Sequence, residues 1–142
     1  MLMNAPIIGL IPASDAERAR AFYEGMLGLS FLRDDGFAIV LKANHTFVRV
    51  IRMREFTPVP YTILGWEVTN IEETVAGLAA KGLAFQRYPF LPPDQVDALG
   101  IWTAPNGDRI AWFLDSEGNN LSLSQHGSGV SVSDSLRSEL QL

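Results

Sequence analysis

The sequence predicts an α+β domain built from two βαβββ modules, and three observations lead there. A short β-branched strand is followed by an amphipathic helix motif twice, the first helix capped near Asp15 and the second near Asn70. Short strand-like runs separated by Gly, Asn and Asp turns follow each helix. The stretch Leu114–Leu123, LDSEGNNLSL, matches Leu41–Val50, LKANHTFVRV, in the same order. Self-similarity over two units marks a duplicated module rather than a solenoid.

In chain order, Ile7–Ile11 reads as a β-branched strand that Pro12 ends. Ser14 or Asp15 can cap a helix over about Ala16–Met26. Its Ala19, Phe22, Tyr23 and Met26 form one apolar stripe, and Gly28 stops it. Leu29–Arg33, Phe37–Lys42 and Phe47–Arg52 read as strands, joined by Asp34-Asp35-Gly36 and Ala43-Asn44-His45 as turns. Glu55–Pro60 is a connector. Tyr61–Val68 then reads as a strand, and Thr69 or Asn70 caps a helix over about Ile71–Lys81. That helix has a stripe of Ile71, Val75, Leu78 and Ala79. Ala84–Tyr88 reads as a strand, Pro89–Leu99 as a proline-rich loop and Gly100–Thr103 as a short strand. Arg109–Leu114 and Leu121–Gln125 complete the set, with the turn Asp115–Asn120 between them. The expected organisation is one domain over 1–126, with module one at 6–54 and module two at 61–126. A Gly/Ser-rich, flexible tail over 127–142 is expected to end in a frayed terminus or a short helix over Ser135–Leu142.

Composition narrows the function classes. Apolar residues make up 47% and charged residues 19% of the 142, the balance of a globular protein with a real core. A net charge of −5 argues against a general nucleic-acid or anionic-membrane surface, which needs clustered Lys and Arg. There is no cysteine, so disulfides, thiolate metal sites and cysteine nucleophiles are excluded. No apolar run approaches the roughly 18 residues of a membrane span. The first residues lack the basic region of a secretory signal. A cytoplasmic location is the expectation. No dinucleotide, phosphate-loop, zinc-protease or nucleophile-elbow motif is present. Glu72-Glu73 suits a helix N-terminus, and Asp94 and Asp97 are expected to be solvated.

The helix motif Asp15–Leu29 follows a D-x6-FY-x3-LGL pattern. The hairpin Phe113–Leu123 carries D-x-x-G-N-x-L. Both, in order and within two βαβββ units, resemble the vicinal oxygen chelate superfamily of glyoxalases, bleomycin-resistance proteins and extradiol dioxygenases. The resemblance covers about Ile7–Gln125. It implies a cupped mixed sheet with helices outside and a ligand or metal inside, and homodimers are common in the family. It also implies four metal-ligand positions, two per module, which here are Ile8, Arg49, Ile63 and Ser122. Isoleucine offers no lone pair, arginine repels a cation, and serine alone is a poor donor. The two histidines, His45 and His126, lie at strand ends. The resemblance therefore points to a branch lacking the metal site, with no cofactor expected.

If those four positions face the cup, strand alternation places their i±2 neighbours there too. That set comprises Leu10, Phe47, Ile51, Gly65, Glu67, Asn120 and Ser124. Val48, Val50, Trp66, Val68, Leu121 and Leu123 would face the helices. Arg49 needs a carboxylate partner, of which Glu67 is the obvious one, or a route to solvent, or an anionic ligand. Trp112 alternates with Phe113 on one strand, and the sequence does not say which of them lines the cup. Trp102 and Trp112 are candidates for stacking a planar ligand, with Tyr61 and Tyr88 on the rim. The candidate ligand-binding set is thus Phe47, Arg49, Ile63, Glu67, Trp102, Trp112, Asn120 and Ser122.

Three readings remain open. The first is a metal-independent protein that sequesters an unidentified small molecule, anionic or planar. The second is a metal-free lyase or isomerase with Glu67 as base and Arg49 as oxyanion stabiliser. The third is a dimerising domain with no small-molecule role.

Overall fold

The computed structural model describes residues 1–127 of the chain. The tail and short helix expected beyond them lie outside the described residues. Two four-stranded sheets carry the fold, and the order βαβββ occurs twice. The chain divides into two compact units. One holds residues 1–63 with 115–120; the other holds 64–114 with the described residues from Leu121 onward.

In the first unit, β1 (Ile8–Ala13), β2 (Ser30–Asp34), β3 (Ala38–Ala43) and β4 (Thr46–Arg52) form a mixed sheet in the order β1-β4-β3-β2. β1 runs parallel to β4; the other pairs are antiparallel. Pro12 does not end β1. It lies within the strand opposite Ile51, a position proline tolerates because β1 is an edge. The helix opens at Asp15, whose carboxylate accepts the Arg18 N–H at 3.0 Å. It is α-helical only over α1 (Ala16–Arg20) and continues as a π-helical turn, Ala21–Met26. There the Leu27 N–H reaches back five residues to the Phe22 carbonyl at 3.1 Å. Over two turns the apolar spacing fits either helix type, so the sequence alone suggested one uniform helix. The helix packs on β3 and β4 and buries Ala16, Ala19 and Tyr23.

The second sheet has the order β5-β8-β7-β6, from β5 (Thr62–Glu67), β6 (Trp102–Thr103), β7 (Arg109–Leu114) and β8 (Asn120–Gln125). Asn70 caps α2 (Ile71–Ala80), accepting the Glu73 N–H at 3.1 Å, and α2 packs against β7. Ile71 and Val75 are fully buried, whereas Ala79, expected on the stripe, is exposed. Ala84–Tyr88 is not a strand. It touches β7 through a single bridge, Phe85 to Phe113, and one hydrogen bond, Gln86 N–H to the Trp112 carbonyl at 2.8 Å. The prolines that follow stop a ladder from growing. The expected loop contains a 3₁₀ turn, Pro93–Gln95. Asp97 is not simply solvated: its carboxylate accepts the Leu99 and Ile101 N–H groups, both at 2.9 Å, and shapes the loop's return to β6. No helix among the described residues is long and apolar enough to cross a membrane.

Candidate functional site

The hairpin turn between β7 and β8 packs with the first unit. Asp115 is 7% exposed and fully engaged. One carboxylate oxygen accepts the Glu117 and Asn119 N–H groups, both at 2.9 Å. The other accepts the Tyr23 hydroxyl at 2.6 Å and the Asn119 amide at 2.9 Å. Burial, then the Asp115 charge, pushes the Tyr23 phenol far above its ordinary range, so it remains a proton donor. Asn119 also donates to the Pro12 carbonyl at 3.1 Å. Glu117 accepts the Ser14 hydroxyl at 2.7 Å and the Asp15 N–H at 2.9 Å. Burial raises the Glu117 pKa, but these hydrogen bonds outweigh it and hold the carboxyl below its usual range. Gly118 takes a φ of +89° that a side chain would strain. The most distinctive acidic residues of the sequence thus fasten the turn to the β1–α1 junction. With every lone pair of Asp115 occupied by the fold, it has none to offer a substrate.

Buried and half-buried residues alternate on β4 and from Leu121 to Ser124 of β8, as the expected parity has it, whereas Asn120, expected on the open side, is buried, and β3 is buried on both faces from Ala38 to Leu41. On β4, Val48 and Val50 are at most 2% exposed, while Phe47, Arg49 and Ile51 are half-buried. On β8, Leu121 and Leu123 are buried while Ser122 and Ser124 are half-buried. Gly65 and Ser122 meet on the open side. A Cβ at Gly65 would lie 2.7 Å from the Ser122 hydroxyl oxygen.

In the first unit, Phe47 and Arg49 line a cavity of about 160 Å³ with Ile8, Arg33 and Val40. Arg49 is paired within its own unit. Its guanidinium donates to Asp35 at 2.7 Å. Asp35 also accepts the Phe37 and Ala38 N–H groups at 3.0 and 2.9 Å, and these bonds together lower its pKa. The Asp34-Asp35-Gly36 turn, legible in the sequence only as a turn, is therefore also the counter-charge of β4. Asp34 forms a two-pronged pair with Arg52 at 2.8 and 2.6 Å, and its carboxyl is held at about 2. Ile63 is half-buried on β5. Asn120 is buried and accepts the Thr62 hydroxyl at 3.2 Å.

In the second unit the choice between Trp112 and Phe113 is settled. Phe113 is fully buried, stacked on Trp66 at 6.3 Å and edge-on to Phe85 at 5.8 Å. Trp112 therefore takes the opposite, open face. Trp102 pairs with Ile110, so Trp102 and Trp112 are diagonal neighbours, with ring centroids 6.0 Å apart. Tyr88 meets Trp112 edge-on at 5.5 Å and stacks on Phe90 at 5.3 Å. The Trp102 indole N–H donates to Gln95 at 3.0 Å, which fixes its ring. Beside this group, Arg87, Tyr88, Pro89, Leu91, Pro93 and Val96 line an open cavity of about 340 Å³. Glu67 is half-buried at the end of β5. Sequence reasoning missed Arg33, Asp35, Phe90 and the cavity of the proline-rich loop. The proline density was the available sign of that cavity.

The residues do not fit a divalent metal. Ile8, Arg49, Ile63 and Ser122 stand where the resemblance implies ligands, and among the described residues no three His, Asp or Glu side chains converge on a point.

No protein-family model matches the sequence, and no curated protein is similar to it. Solved structures match the fold. A glyoxalase family protein from Enterococcus faecalis is 23% identical, with 87% of this chain and 99% of that chain covered and a TM-score of 0.66. A member of the glyoxalase/bleomycin resistance protein/dioxygenase superfamily from Sphaerobacter thermophilus is 22% identical, with 89% and 100% covered and a TM-score of 0.65. A bleomycin resistance determinant encoded on the transposon Tn5 is 17% identical, with 87% and 98% covered and a TM-score of 0.66. The chain has the vicinal oxygen chelate fold.

Proposed function

We propose that the protein binds a small molecule without a metal, holding a planar, largely apolar group against Trp112 and Trp102. The observation that carries this reading is the open-face aromatic group Trp102–Trp112–Tyr88–Phe90. Trp112 occupies a sheet face that its neighbour Phe113 leaves for the core, and its ring is oriented by edge contacts rather than enclosed. Apolar walls with a few placed polar groups are what small-molecule sites use. The fold likeness to a bleomycin resistance determinant is consistent with sequestration of such a ligand. Catalysis by Glu67 and Arg49 is the weaker reading, because Asp35 already takes the charge that Arg49 would offer an oxyanion. A cytoplasmic homodimer completes the proposal. The exposed apolar side chains of Leu2, Met3 and Ile7 ahead of the edge strand β1, 83%, 93% and 77% accessible, support self-association. Light scattering over a range of concentrations tests it, and a monomer throughout would remove the dimer.

The binding test has two arms. Native mass spectrometry of freshly purified protein is expected to show a co-purified small molecule, and elemental analysis no stoichiometric divalent ion. Titration with bleomycin and with riboflavin, as a planar probe, is expected to quench tryptophan fluorescence in a way that Trp112→Ala abolishes. A stoichiometric metal, or the absence of both co-purification and quenching, would sink the proposal.

A further inference from the structure

The pairing of β2 with β3 contains a bulge. Phe31 lies opposite Leu41, but the next pair is Arg33 with Val40, leaving Leu32 unpaired. A regular ladder would set Leu32 against Val40 and keep Phe31 and Arg33 on one face. The extra residue separates them. Phe31 lies on the row Leu41–Val48, which is the buried face, and there the Arg20 guanidinium sits 3.4 Å from its ring centroid. Arg33 falls on the row Val40–Arg49–Leu10, which is the open face. Bulges recur where a side chain is re-aimed beside a functional site.

The bulge brings two arginines to one small cavity, flanking Val40, and they differ in kind. Arg49 is neutralised by Asp35 at 2.7 Å. The Arg33 side chain has no hydrogen-bonding or ionic partner among the described residues. One positive charge is therefore left uncompensated at a cavity of about 160 Å³ whose other walls are Ile8, Val40 and Phe47. A hollow of that volume, open to solvent on one side, has room for a single ring.

We propose that this cavity binds a small carboxylate with a single-ring or branched apolar body. The body lies against Ile8, Val40 and Phe47, the carboxylate takes a two-pronged pair with Arg33, and Asp35 keeps Arg49 as a structural cation. This inference rests on the small-molecule reading but uses different residues from the tryptophan group, so the two can fail separately. A planar fork suits a carboxylate in a way a lysine ammonium does not.

The test is titration of the full chain with benzoate and with benzyl alcohol, followed by calorimetry and by NMR shifts of the Ile8 and Val40 methyl groups. Benzoate is expected to bind and to shift those methyls, with benzyl alcohol at least tenfold weaker. Arg33→Gln is expected to weaken benzoate about tenfold to a hundredfold, the value of a charge-assisted pair, and to leave benzyl alcohol unchanged. Arg33→Lys is expected to restore only part of the affinity. Arg33 is an exposed residue of an edge strand, so these variants are expected to fold, which circular dichroism checks. Equal affinity for the two probes, or benzoate binding that Arg33→Gln does not change, would overturn the role of Arg33. Absence of benzoate binding alongside intact riboflavin quenching would overturn this inference and leave the tryptophan reading standing.

Discussion

Replacing Tyr23 by phenylalanine removes one hydroxyl and almost no volume. In the wild type that hydroxyl donates to the buried Asp115 carboxylate at 2.6 Å, across 92 residues of sequence. A hydrogen bond to a charged group contributes about 1.5–3 kcal/mol. The affected oxygen keeps the Asn119 amide as a second donor at 2.9 Å, so it is not orphaned, and the lower half of that range applies. We expect Tyr23→Phe to destabilise the protein by about 1.5–2 kcal/mol. For a chain of this length that corresponds to a Tm lower by about 5–7 °C. Urea unfolding at pH 7, followed by circular dichroism, measures it, and the denaturant slope should be unchanged. Tyr61→Phe serves as the control, since Tyr61 is 63% exposed, and a change within about 0.5 kcal/mol is expected there. A Tyr23→Phe protein as stable as wild type would refute the assignment of Asp115 to structure and return that carboxylate to the list of chemical candidates.

Further outcomes follow from the same geometry. Glu117 has a folded pKa below its ordinary value of 4.5. Its contribution is therefore complete above that pH and is lost as pH falls through the lowered value. Glu117→Gln should flatten the acid limb of a stability-against-pH curve, and an unchanged limb would contradict the clamp. Asn70→Ala removes the cap of α2 and should cost about 1 kcal/mol in a urea titration, a loss that Asn70→Asp largely avoids. Gly65→Ala places a Cβ 2.7 Å from the Ser122 hydroxyl oxygen and should destabilise, with Ser122→Gly in the same chain relieving much of the loss. Asp35→Asn frees the Arg49 guanidinium, so benzoate should bind more tightly at low salt, and an unchanged or weaker affinity would argue that Arg49 does not face the cavity.

Much of the local structure was legible because it is local. Asp15 and Asn70 cap their helices through their own side chains three residues ahead. Gly118 marks a backbone that only glycine adopts without strain. The alternation of β4, and of β8 from Leu121 to Ser124, separates a buried from an open face. Where the reading went astray, a distant partner decided. Pro12 looks like a terminator until β1 is seen to be an edge. Ala84–Tyr88 has the composition of a strand but finds only one bridge on β7.

The sequence by itself determined the doubled βαβββ order, the caps and turns, the alternation along β4 and from Leu121 to Ser124 of β8, and the residue types at the implied ligand positions. These depend on residue type and on periods of two and 3.6, which a chain carries without any partner. Only the tertiary structure decided that Asp35 meets Arg49, that Trp112 and not Phe113 stays open, and that the hairpin's Asp115 is spent on Tyr23. It also decided that Arg33 changes face. A single unpaired residue, Leu32, reverses the parity of everything after it in β2. Such a bulge is created by the register of two strands, a relation between residues far apart in the chain, and no periodicity within one of them records it.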